Sequence, residues 1–184
     1  MNTVASYLSY AQWFLCLTFA CSLVGKLTDL RSFVTTIRAV FATPMPVARS
    51  LAVLVLAAEA VVVALSLAGD MVVGFLAGIA LLVAFTAVLA VTLAAKRGIM
   101  CNCFGRGQDA ISAYDIARNA LMLAILVPAA LFSPDMAPRD DPFSGGNVGV
   151  ALAAAITLVV VLHVRDVATV VLSRPAARKG REQE

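Results

Sequence analysis

Charge is scarce in this sequence. Lys, Arg, Asp and Glu make up 14% of its 184 residues and apolar residues 61%, against about 25% and about 45–50% in soluble domains. With a mean hydropathy of +0.94, the chain is excluded from the ordinary soluble globular class. The first 25 residues hold no Lys or Arg. A cleaved signal peptide needs a positive n-region, so the first apolar block is expected to be retained. Histidine occurs once, at His163; nothing pairs with it in sequence, and it reads as an interfacial residue. No tandem repeat is present. The net charge of +3 says little about nucleic acid, because the basic residues are distributed as membrane topology requires.

What is abundant is long apolar blocks. A membrane-spanning helix needs about 20 mostly apolar residues. Five blocks qualify or come close: Tyr7 to Gly25, Leu51 to Ala68, Met71 to Ala95, Ile116 to Phe132 and Val148 to Val164. The third is the clearest, being free of charge throughout. The fourth is the least clear, because Arg118 and Asn119 stand in its first turn and Arg118 has to snorkel to the interface. With the N-terminus outside and alternating spans, 13 of the 14 Lys and Arg residues fall in or beside the inner segments, and only Arg139 lies outside. That bias predicts N-out and C-in. The fold class expected is all-α: a polytopic transmembrane helical bundle with a four-helix core and a fifth C-terminal span. Residues 1–132 would form the four-helix membrane domain, 133–147 an external loop rich in Pro and Gly, 148–172 the additional span and 173–184 a basic cytoplasmic tail.

Local signals fill in the connections. Leu30, Phe33, Val34, Ile37 and Val40 or Phe41 recur at helical spacing with Arg31 and Arg38 elsewhere on the wheel, which predicts a short amphipathic helix over Thr28 to Phe41 along the inner interface. Pro44-Met45-Pro46 ends it. Ser112-Ala113-Tyr114-Asp115 reads as a capping box opening the fourth span, with Asp in place of Glu.

Chemistry concentrates in Cys101-Asn102-Cys103-Phe104-Gly105. Two thiols stand one residue apart at the inner edge of the third span. Lys96, Arg97 and Arg106 nearby favour the thiolate, which is the reactive form. A disulfide across i and i+2 needs a sharply bent backbone, and strained disulfides are the exchangeable ones. The pair therefore reads as redox-active. Two other readings stand beside it: unreactive cysteines acting as small apolar residues, and a soft metal site of Met100, Cys101 and Cys103 suited to Cu(I). The metal set has no His near it and is about two ligands short of a zinc site.

Glu59 sits near the centre of the second span, where an ionisable side chain is a functional candidate by default. It could carry protons or contact a ligand head group; otherwise it is a protonated carboxyl bonding a neighbouring helix. Cys16 and Cys21 in the first span are about 140° apart on a helix and do not readily bridge each other. Both are expected to be buried apolar packing.

In order, these features resemble the DoxX-like membrane proteins and specifically the methylamine utilisation protein MauE family. The matching residues are Gly25-Lys26-Leu27, Pro44 and Pro46, Glu59, Arg97-Gly98, Cys101-Asn102-Cys103-Phe104-Gly105, Ile111-Ser112 and Arg118-Asn119. The resemblance covers residues 5–132, and the fifth span and tail depart from its four-helix pattern. It implies a four-helix membrane bundle working beside a thioredoxin-like partner in maturing the disulfide-rich small subunit of methylamine dehydrogenase. The function expected is thus thiol–disulfide exchange in the bacterial inner membrane by Cys101 and Cys103, with Glu59 handling protons or helping to hold a quinone. The alternatives are a non-catalytic membrane anchor or assembly factor of a redox complex, and a small metal- or solute-handling membrane protein. One conflict stands: client disulfides form outside, while charge puts the dithiol inside.

Overall fold

A computed structural model of the chain describes residues 3–95, 112–133 and 147–163. Cys101, Cys103, their basic neighbours, the loop prolines and the basic tail lie outside the described residues. The described residues form six helices: α1 (Thr3–Thr28), α2 (Leu30–Phe41), α3 (Met45–Ala68), α4 (Met71–Ala94), α5 (Ala113–Phe132) and α6 (Asn147–Leu162). Four of them, α1, α3, α4 and α5, are long and apolar enough to cross a membrane. The chain is a multi-pass membrane protein with an all-helical bundle. The described part of α6, 16 residues, is shorter than the about 20 that a span requires.

Helix ends follow the local chemistry. Asp29 caps α2 by accepting from the Ser32 amide at 3.1 Å, which starts that helix at Leu30, the first residue of the hydrophobic pattern and two residues after the expected Thr28. Asp70 caps α4 in the same way, accepting from the Val73 amide at 3.4 Å, and Gly69 closes α3 at φ 83°. This two-residue corner makes α3 and α4 antiparallel neighbours. The Ser112–Asp115 capping box opens α5 as expected, answering two amides that would otherwise be unpaired.

Helix α1 is the axis of the bundle and packs against all five other helices. Its buried residues Leu8, Ala11, Leu15, Phe19, Ser22 and Lys26 run along one side at helical spacing, and Phe14 and Cys16 extend the covered surface. Helix α6 lies against α1 with Ala154, Leu158 and Val161 buried. Gly78 brings α4 close to α1: a Cβ built there would collide with a methyl of Leu15. Small residues permit this kind of approach where lipid offers no hydrophobic drive for helices to associate. Side-chain bonds to carbonyls tie the bundle near its other end. Gln12 donates to the Ser66 carbonyl at 2.6 Å, and Tyr7 to the Ile125 carbonyl at 2.7 Å.

Cys16 is buried, as expected, but Cys21 is exposed. It stands next to the buried Ser22, outside the stripe that α1 turns inward. The Arg118 side chain is 12% exposed and faces Asp115 at 3.6 Å.

Candidate functional site

Glu59 is fully buried, and it is paired. Lys26 of α1 forms an ion pair with Glu59 Oε1. Ser22, one helical turn before Lys26, accepts from Lys26 Nζ at 2.6 Å and donates to the same carboxylate oxygen at 3.0 Å. Residues four apart share a helix face, so Ser22 and Lys26 grip one carboxylate together. Two charges in a low-dielectric interior are tolerable only with such compensation. Glu59 Oε2 is buried and has no hydrogen-bond partner among the described residues. Moving one proton from Lys26 to Glu59 would turn the charged pair into a neutral one without changing the net charge of the bundle.

The ammonium of Lys26 also lies 5.5 Å from the ring centroid of Phe33 on α2 and 5.0 Å from that of Phe85 on α4. Such distances allow cation–π attraction, which strengthens where water is excluded. Lys26 thus joins α1, α2, α3 and α4. Beside it, Asn119 of α5 donates to Thr86 Oγ1 of α4 at 3.2 Å, and Thr86 donates to the Leu82 carbonyl at 2.6 Å.

Ser22, Lys26, Phe33, Phe85 and Asn119 border a cavity of about 260 Å³. Its walls are apolar, with Phe19 from α1, Phe33 and Ile37 from α2, and Leu82, Phe85 and Leu89 from α4. Among the described residues, its polar lining comes from Ser22, Lys26, Thr18, Thr36, Arg118 and Asn119. A mostly apolar pocket with a few convergent polar groups is the usual form of a small-molecule site.

Of the residues singled out from the sequence, Glu59 is placed in this centre. The dithiol falls in the segment joining α4 to α5, outside the described residues. Lys26 was legible as a basic residue marking the inner side and as part of Gly25-Lys26-Leu27, with no role of its own. The hint to its second role was Ser22 four residues earlier, with a lone carboxylate in the next span. His163 is exposed, its ring Nδ1 2.9 Å from the Val159 carbonyl, in keeping with a plain helix-end residue.

Fold and site define a helical, multi-pass membrane protein with a buried Lys–Glu pair beside an apolar cavity. The sequence matches the family described as methylamine utilisation protein MauE over residues 4–132. That match spans well over half of the chain, and the chain belongs to the MauE family. It includes α1 to α5 and the Cys101–Cys103 segment and stops before α6. Comparison with curated proteins and with solved structures gives no match.

Proposed function

We propose that this chain is a thiol–disulfide redox protein of the bacterial inner membrane, N-terminus out and C-terminus in, serving maturation of a disulfide-containing client. The observation that carries this reading is the Cys101-Asn102-Cys103-Phe104-Gly105 element, which falls within the family match. Its setting supports the reading. The two helices that flank the segment, α4 and α5, pack together, and Leu89, Arg118 and Asn119, near the flanking ends, line the cavity.

A disulfide between Cys101 and Cys103 accepts two electrons and two protons from a partner dithiol, which leaves as a disulfide. The reverse reaction reduces the partner. Either direction passes through a mixed disulfide between one cysteine of this chain and one of the partner. The partner class is a thioredoxin-like protein, and the client, by family, is the small subunit of methylamine dehydrogenase. Glu59, with Lys26, would take up and return a proton in this cycle.

The test is to trap thiols in membranes by alkylation. Cys101→Ser or Cys103→Ser alone should accumulate a reducible covalent adduct with a thioredoxin-fold protein, and the double variant should not. If neither single variant gives an adduct and both mature the client fully, the cysteines are not catalytic. A non-catalytic anchor of a redox complex then becomes the better description.

A further inference from the structure

Helix α2 lies at the end of the bundle where α1 stops and α3 begins, and one of its sides is basic. Arg31 and Arg38 are both exposed. A separation of seven residues puts them on the same side, two turns and about 10 Å apart. Phe33 and Ile37, the buried residues of α2, belong to the opposite side and pack with Ala48 and Ala52 of α3. Arg49 directly follows Ala48 and is exposed as well, so it emerges at the edge of the same α2–α3 contact.

These arginines are not balanced from within the described residues. The ion pairs there are Lys26–Glu59 and Arg118–Asp115, and the carboxylate of Asp29 accepts from the Ser32 amide as the cap of α2. Depth in the membrane comes from the apolar neighbours. The exposed surface of α3 changes from Arg49 and Ser50 to Val53 and Leu54, 65% and 64% exposed, within one turn. Since α3 is long and apolar enough to span, that step marks the boundary between headgroups and acyl chains. Leu30 and Phe41, at the two ends of α2, are exposed too. A surface for a soluble anion gains nothing from bare Leu and Phe beside its arginines. An interfacial helix does, its apolar side chains entering the acyl boundary while the basic ones reach the phosphates.

We infer that Arg31, Arg38 and Arg49 form a docking surface for anionic phospholipid headgroups in the leaflet against which α2 lies. A guanidinium offers paired N–H donors that match phosphate oxygens. A zwitterionic lipid brings its own cation beside the phosphate and gains less from the patch. The contact also helps to seat α2, which buries few side chains yet supplies the Phe33 ring to Lys26. This inference concerns lipid contact and does not depend on the dithiol chemistry.

Native mass spectrometry of the full chain, from micelles holding equal amounts of phosphatidylglycerol and phosphatidylcholine, measures the preference. The wild-type chain should retain phosphatidylglycerol, and adding that lipid should raise its thermal midpoint in detergent. All three arginines are exposed, so their variants should fold. Arg31→Gln, Arg38→Gln and Arg49→Gln should each lower the ratio of bound lipids by up to about fivefold, the attraction of one basic residue to an anionic surface. The triple variant should lose both the preference and the midpoint rise, whereas Arg38→Lys, which keeps the charge, should retain most of each. Equal retention of the two lipids by the wild-type chain overturns the inference. So does a triple variant with the wild-type preference, which would assign the contact to other basic residues such as Lys96, Arg97 and Arg106. Displacement of phosphatidylglycerol by an equal concentration of inorganic phosphate overturns it too, since the patch would then take a free anion. Failure of cysteine trapping leaves these results untouched, so the two proposals fail separately.

Discussion

Lys26 and Glu59, 33 positions apart in the sequence, form an ion pair inside the bundle with side chains 3% and 0% exposed. The pair links α1 to α3, and the cation–π contacts of Lys26 extend the link to α2 and α4. Breaking a buried pair by removing one partner leaves an uncompensated charge, at a cost of about 3–5 kcal/mol. Glu59→Gln and Lys26→Met should each lower the thermal midpoint in detergent sharply. Lys26→Met/Glu59→Met removes both charges and should recover most of the loss. Strictly additive losses in that cycle would show that the two residues are not coupled.

The same double variant separates packing from proton handling. Once folded, Lys26→Met/Glu59→Met should insert normally yet fail to support client maturation, measured as disulfide content of the client. Full maturation would remove Glu59 from the redox cycle and leave it as an element of helix packing.

Topology follows from the charge bias. A reporter fused after Glu184 should be cytoplasmic, and one inserted between Pro138 and Gly146 should be external. An external C-terminal reporter together with a cytoplasmic loop reporter would move Cys101 and Cys103 to the outer face of the membrane and remove the conflict with client oxidation; both reporters external would mean that α6 does not cross.

A side chain at Gly78 requires the tip of Leu15 to move aside, and a branched one should be destabilising. Gly78→Val places methyl groups against Leu15 and Phe19, which lie next to a Cβ at that position. Overpacking costs about 1–3 kcal/mol, read as loss of monodisperse protein in detergent or a lowered midpoint. Unchanged stability would mean that α4 can move away from α1 freely.

Ala42 ends α2 in the left-handed region at φ 49°. For a residue with a Cβ this conformation costs roughly 1–2 kcal/mol. Ala42→Gly should therefore raise stability by up to about 1 kcal/mol after the entropy that glycine loses on folding. A lowered midpoint would mean that the alanine methyl makes a contact worth more than the strain.

Much of the architecture was legible because it depends on one-dimensional properties. Block length and lack of charge mark α1, α3, α4 and α5 as spans. The 3.6-residue pattern of Phe33, Val34 and Ile37 marks α2, and Ser112 with Asp115 marks the start of α5. Helix faces were not legible in the same way. In α4, Leu82 and Leu89 are buried while Val83 and Val91 are exposed, yet all four are apolar, since lipid and protein interior make the same demand on a side chain. Hence burial of Cys21 was expected and its exposure came only from the placement of α1.

The sequence by itself determined that this chain lives in a membrane, how its spans are bounded, and that Cys101, Cys103 and Glu59 are its chemically unusual residues. Each of these depends on composition or spacing along a single helix. Tertiary structure alone decided that Lys26, readable as one more positive-inside charge, turns inward to Glu59. It also decided that Asn119 meets Thr86 beside an apolar cavity. The reason is that pairing between helices depends on which faces meet. Gly78 against Leu15, the α3–α4 corner at Gly69 and the central position of α1 set those faces, and none of them is written in the local sequence around the residues that they bring together.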